Sequence, residues 1–253
     1  MDEASQGRSA LASGVAERPS TSPMGPSLAT RPVAPTPSPG GADRGPRALQ
    51  QVRLADCPAQ PWRNGGGLTR ELLAWAPPLV EAAVPGTPPV SWTVRVSVAE
   101  IARDGPFSPY PAVDRAFAVL EGRGVVLTWP QGDTVCRPGN EALRFDGADA
   151  PGCRLLDGPT LDLNLMVQAH AGHAAMRCAL PGSPGPAPSR WRALYAHGGG
   201  RLAAQGRVVA LEPGTLCWQA PSAVQDADDP WRLLEGLQTF WLALDPGPQE
   251  AGA

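Results

Sequence analysis

Hydrophobic and polar positions follow two regimes along this chain. Up to about residue 47, Ser, Pro, Ala and Gly mix with scattered charges, and aliphatic residues keep no period. A run such as residues 32–41 buries too little apolar area to offset its ordering entropy, so residues 1–47 are expected to be a disordered, dispensable tail. Met24 lies inside it as an alternative start. Beyond it, short apolar runs are separated by Gly and Pro turns, and no helical period is sustained. From Trp92 the chain alternates: Trp92, Val94, Val96 and Val98 share one face of a strand, and Thr93, Arg95 and Ser97 the other. Residues 161–167 alternate likewise, with Asp162 and Asn164 opposite the leucines. Further strands are expected at 116–120, 124–129, 208–211 and 233–244. Many short strands with turns between them predict an all-β sandwich or barrel. The Pro/Gly-rich stretch 181–189 reads as a break between halves.

An internal echo sharpens this. Glu121-Gly122-Arg123-Gly124 precedes an apolar strand, then Arg137-Pro138-Gly139 and a strand reaching Phe145. Later, Gly198-Gly199-Gly200 precedes Val208-Val209, then Glu212-Pro213-Gly214 and a strand reaching Trp218. Similar spacing of turn and strand, with the all-β reading, favours two related barrels.

Composition excludes more than it selects. With 42% hydrophobic residues, 253 residues can bury one large core or two small ones. A net charge of -3 argues against nucleic acid as a partner, and no apolar run is long enough to span a bilayer. The N-terminus has no apolar h-region, and the five cysteines (Cys57, Cys136, Cys153, Cys178 and Cys217) form no Cys-x-x-Cys pair. Reduced thiols in a cytoplasm are the expectation.

The densest candidate chemistry is Trp62-Arg63-Asn64-Gly65-Gly66-Gly67-Leu68-Thr69-Arg70-Glu71. Three glycines permit a sharp turn or close approach, and polar side chains crowd beside them. A hairpin turn with solvated flanks would use the same residues. No Lys-Ser/Thr follows, so it is not a P-loop, and no helix follows, so it is not a dinucleotide fingerprint.

This segment is similar to the signature of the HutD/Ves family of metal-free bicupins. So are Trp92-Thr93-Val94-Arg95-Val96-Ser97-Val98-Ala99, Asp104-Gly105-Pro106-Phe107-Ser108 and Asp162-Leu163-Asn164-Leu165-Met166, with Arg115 and Leu120-Glu121-Gly122 in matching places. The resemblance runs from about Val52 to about Leu244. It implies two cupin-like β-barrels in one chain, a first over 48–160 and a second over 161–253, with strands exchanged near the boundary. It also implies a bacterial protein linked to histidine utilisation, accessory or regulatory, that binds a small acidic metabolite. Laying the first cupin motif on Gly105 and Gly124 puts its metal-ligand positions at Pro111, Val113 and Phe117, and the second motif's histidine near Leu143. None of these side chains binds a metal. His170 and His173 read as solvated loop residues, and Cys178 near His173 has no acid to orient a relay. Neither a metal nor another cofactor is expected.

Arg63, Asn64, Thr69, Glu71, Arg95, Ser97, Arg115 and Asn164 are therefore the candidate ligand-binding set. Guanidinium groups suit carboxylates, and Asn, Ser or Thr can read an amide. Formylglutamate or a related acid is the candidate ligand, and a homo-oligomer is compatible with this reading. Two alternatives stand beside it. One is a metal-independent enzyme using Glu71 or Asp162 as general base; the other is a protein-interaction module using the exposed face and Trp-rich edges. Structural ion pairs of Arg95 and Arg115 with Glu71 and Asp162 would equally explain those residues.

Overall fold

The computed structural model describes residues 49–77, 92–186, 191–221 and 230–245. The expected tail, 1–47, and part of the 181–189 stretch lie outside these residues. Numbered along the chain, the strands form four sheets. The largest has the order β2 (Ala59–Pro61), β3 (Gly67–Trp75), β4 (Val94–Ile101), β11 (Thr160–Gln168), β6 (Val113–Glu121), β9 (Leu143–Asp146). Against one face lies a sheet of β5 (Gly105–Pro106), β10 (Gly152–Leu155), β7 (Val125–Trp129) and β8 (Gly132–Cys136). A five-stranded sheet orders β1 (Gln50–Arg53), β16 (Thr215–Gln219), β13 (Trp191–Ala196), β18 (Thr239–Asp245) and β12 (His173–Cys178). The fourth holds β15 (Arg207–Leu211), β14 (Gly200–Ala204) and β17 (Arg232–Gly236). Every pairing between them is antiparallel.

Side-chain alternation explains the layering. On β4 and β11, Val94, Val96, Val98, Leu163, Leu165 and Val167 bury against Ala193, Tyr195, Leu216, Leu242 and Leu244 of the five-stranded sheet. The two large sheets thus pack back to back. The opposite face of the six-stranded sheet contributes Ile101, Phe117 and Val119 to a core with Val125, Leu127, Cys136 and Cys153. The five-stranded sheet likewise packs Leu194, Cys217 and Trp241 on Leu202, Leu211 and Leu233 of the three-stranded one. Among the described residues the strands form four sheets, none of which closes into a barrel, so what the fold establishes is the all-β class.

The sequence echo corresponds to repeated pairing. Strand β6 pairs with β9 and β11, and β7 with β8 and β10. Seven strands later, β13 pairs with β16 and β18, and β14 with β15 and β17. The turns recur too: Gly122, Gly124 and Gly139 have positive φ, as have Gly199 and Gly214. The expected boundary at 160/161 falls at the start of β11, which lies inside the six-stranded sheet. Conversely β1 pairs with β16 in the other half.

Two sequence expectations change. Residues 233–244 are two strands separated by a tight turn at Leu237-Gln238, where Gln238 has φ 48°. His173 is not in a loop: it opens β12 and its Nδ1 lies 2.6 Å from Nη2 of Arg144, which also pairs with Asp114. Asp114 in turn accepts a hydrogen bond from the backbone N–H of Ala174 at 2.6 Å, fastening β12 to β6.

Candidate ligand cavity

Over one face of the six-stranded sheet, beneath the β2–β3 hairpin and the segment from β5 to β6, lies a cavity of about 410 Å³. Its rim is the β2–β3 hairpin. Gly65, at φ 66°, reverses the chain, and Asn64 Oδ1 accepts the Gly66 N–H at 2.9 Å. Gly67 carries the strand so close to β4 that a Cβ there would strike the Glu100 carbonyl oxygen. Gly67→Ala is therefore expected to force the hairpin off β4, costing about 2 kcal/mol, a fall of roughly 4–8 °C in melting temperature. An unchanged melting curve would contradict this close approach. The glycine run is thus both a hairpin turn and one wall of the cavity.

Seven of the eight candidate residues line this space: Arg63, Asn64, Thr69, Arg95, Ser97, Arg115 and Asn164. Arg63 is exposed at the rim, while Ser97, Arg115 and Asn164 are buried in the floor. Alternation on β4, β6 and β11 delivers Arg95, Ser97, Arg115 and Asn164 to one face. Glu71 does not line the cavity. It stands behind Arg95 and accepts from its Nε at 2.6 Å, and Arg95 Nη1 points to Met166 Sδ at 3.7 Å. The first of the two envisaged ion pairs is therefore formed.

The second is not. Met166 is the β11 residue opposite Arg115, and Asp162 is opposite Val119. Four residues of strand, about 13 Å, separate the two positions, so the Asp162 carboxylate is out of reach. Instead Arg115 donates from Nη2 to Asn164 Oδ1 at 2.9 Å. Phe107 and Phe145 each hold a ring centroid 5.0 Å from its guanidinium carbon, and Tyr110 one at 5.7 Å. Among the described residues no carboxylate pairs with Arg115, and its Nε has no partner. Burial, reinforced by the like charge of Arg95 and opposed by Tyr110, lowers its pKa to about 10, so the group stays charged at neutral pH. Asp162 is sealed deeper in the same sandwich, with Oδ2 accepting from Thr160 Oγ1 at 2.8 Å and Oδ1 unpartnered. Burial pushes its pKa up to about 7, against the lowering effect of the Thr160 hydrogen bond.

Sequence reasoning missed the aromatic wall. Phe107 and Tyr110 come from the Pro-rich segment between β5 and β6, and Phe117 from β6. The signal was present: Pro106-Phe107 and Pro109-Tyr110-Pro111 place rings on a stiff, non-periodic stretch. Of the positions aligned with cupin metal ligands, Phe117 lines the cavity and Val113 packs with Trp92 and Met166. Among the described residues no group of three His, Cys, Asp or Glu side chains is placed to hold a metal ion. His197 Nε2 lies 2.8 Å from Glu121 Oε1, and His170 is exposed, both outside the cavity. The five cysteines are all free thiols.

Fold and cavity together define an all-β protein with a polar, arginine-floored cavity over its six-stranded sheet. The family comparison is specific. The HutD family profile matches residues 54–229, and the chain belongs to that family. Over 119 residues it is 34% identical to an uncharacterised 21.2 kDa protein from the hutC 3' region of Pseudomonas putida, covering 47% of this chain and 57% of that one. Over 132 residues it is 32% identical to protein Ves of Citrobacter koseri, covering 52% and 64%. The matched stretches thus span less than two thirds of these relatives. HutD from Pseudomonas fluorescens superposes with a TM-score of 0.62 at 22% identity, over 78% of this chain and 98% of that one, which establishes the shared fold. Among the described residues no helix is long and apolar enough to cross a membrane.

Proposed function

We propose that this protein is a metal-free bicupin that binds a small carboxylate-bearing metabolite in the cavity over its six-stranded sheet. The observation that carries the proposal is Arg115, a buried guanidinium ringed by aromatics and facing a cavity with no carboxylate partner among the described residues. A buried charge left uncompensated is costly, and an anionic ligand would supply the missing partner. Repeated strand pairing supports reading each sheet pair as a cupin-like unit. The HutD family match and the hutC-region name of the Pseudomonas putida relative support a link to histidine utilisation. A cytoplasmic accessory or regulatory role, with formylglutamate or a related acid as ligand, completes the proposal.

General-base catalysis gains less support. Glu71 is bound to Arg95, and neither it nor Asp162 lines the cavity. An interaction surface of tryptophans also lacks support, since all eight are buried or half-buried.

A thermal-shift titration with histidine-pathway acids tests the proposal. The melting temperature of the wild type should rise with the logarithm of acid concentration. Arg115→Met should abolish that rise and leave a folded protein, because no carboxylate partner is stranded. No shift with any acid, or an equal shift in Arg115→Met, would overturn carboxylate binding here.

A further inference from the structure

Residues 107–112 form a strap between β5 and β6, and its Phe107, Ser108 and Tyr110 line the cavity. The backbone N–H of Phe107 donates to the Pro151 carbonyl at 2.9 Å, and that of Tyr110 to the Gly147 carbonyl at 2.8 Å. Both acceptors belong to the short connection from β9 to β10, none of whose residues lines the cavity. The connection opens with a 3₁₀ turn, Gly147–Asp149, held by Asp146 Oδ1, which accepts the Ala148 N–H at 2.8 Å. Gly147 is buried, and a Cβ on it would lie 2.6 Å from the Tyr110 carbonyl oxygen and 2.8 Å from that of Val113. Only a residue without a side chain lets the turn lie this close. Between Tyr110 and Val113 in the chain, Ala112 is in the left-handed region at φ 59°, and its carbonyl accepts from the Ala169 N–H at 2.9 Å. A residue with a side chain keeps that conformation only where its surroundings impose it.

We propose that the β9–β10 connection is the positioning element of the cavity, with Gly147 its deciding residue: it sets the strap and so holds Phe107 and Tyr110 against Arg115 before a ligand arrives. The proposal deepens the carboxylate-binding reading and rests on it. The physical reason lies in the guanidinium. Its faces carry no donor, and all its N–H bonds lie in its plane. Rings packed on it therefore decide where that donor edge points. Phe107 has its centroid 5.0 Å, and Tyr110 5.7 Å, from the guanidinium carbon. Phe145, at 5.0 Å, is on β9 just ahead of the same connection. The three rings around Arg115 thus depend on one piece of chain. A strap displaced by an added methyl group would admit water to the guanidinium and let it turn. Its preorganisation for an anion would then be lost.

Gly147→Ala in the full chain tests this against Gly198→Ala, a similarly crowded substitution in the other half. There a Cβ would lie 2.9 Å from Leu237 Cβ and 3.0 Å from the Leu237 carbonyl oxygen. The first readout needs no ligand. Phenylglyoxal modifies arginines that solvent reaches, and peptide mass mapping reports Arg115, which is 5% exposed. Gly147→Ala should raise the rate of Arg115 modification about tenfold, and Gly198→Ala should leave it at the wild-type rate. Asp146→Ala, an exposed change that removes only the cap of the turn, should raise it about threefold, and it decides the matter if Gly147→Ala does not fold. The second readout is isothermal titration with formylglutamate, whose affinity should fall about tenfold in Gly147→Ala and hold in Gly198→Ala. An unchanged Arg115 rate in both Gly147→Ala and Asp146→Ala, or an equal rise in Gly198→Ala, overturns the proposal. So does undiminished formylglutamate binding by a Gly147→Ala protein whose Arg115 has become reactive. If the wild type binds no acid, yet Arg115 turns reactive in Gly147→Ala and not in Gly198→Ala, the carboxylate reading falls while the hold on the strap stands.

Discussion

Replacing Arg95 by Met should cost the unliganded protein about 3–5 kcal/mol, because it strands the Glu71 carboxylate in a largely buried setting. The side chains of the pair are only 15% and 9% exposed, and the Nε–Oε2 distance is 2.6 Å. Glu71→Gln with Arg95→Met should recover much of the loss, since a neutral amide does not need a counter-charge. Denaturant unfolding of wild type, both single variants and the double variant closes the cycle. Additive losses would show that the pair contributes nothing to stability. Arg115→Met makes the contrast. It removes a charge that no carboxylate among the described residues balances, and the free protein should tolerate it far better than Arg95→Met. The two arginines sit in one cavity, yet one is part of the scaffold and the other is available to a ligand.

Asp162 should make the protein less stable as pH rises toward neutrality. Its pKa is raised from an ordinary 3.8 to about 7, chiefly by burial. Between those values the folded state holds a proton that the unfolded chain has released. Stability therefore falls through this window, and the loss is complete above pH 7. The shift corresponds to about 4 kcal/mol at 1.36 kcal/mol per unit. Asp162→Asn copies the protonated form: an oxygen still accepts from Thr160, and an amide replaces the acid O–H. Relative to wild type, the variant should gain stability steadily from pH 4 to pH 7. Chemical denaturation of both proteins at pH 5 and pH 8 measures the difference. An identical pH dependence in the two would mean that Asp162 ionises as freely in the fold as in the open chain.

What could be read from the sequence followed from how each strand is buried. Residues 94–98 and 161–167 have an apolar face on the central core and a polar face that brings Arg95, Ser97 and Asn164 to the cavity, so their alternation was visible. Strand β13 was not visible because all six of its residues are buried, which removes the contrast between its faces. Strand β12 was hidden by its alanines, which resemble a loop beside Gly172. The candidate residues converged because three neighbouring strands present one face. Their partners depended on register, which spacing along one chain does not encode. A bulge between Glu71 and Leu73 lies beside the residue that meets Arg95, while four residues of strand keep Asp162 from Arg115. The family resemblance, carried by the glycine turn and the two alternating strands, is matched by the family profile over residues 54–229.

The pairing of β1 with β16 has a consequence for synthesis on the ribosome. Gln50 emerges long before Trp218, its partner in the finished sheet, so β1 must wait unpaired while most of the chain is made. The five-stranded sheet is therefore completed late, and its assembly is slowed by the long loop to be closed. Cutting the chain at 160/161 would remove β11 from between β4 and β6 and take β1 away from β16. Neither fragment would carry its own sheets intact, so the two halves must be made, and must fold, as one piece.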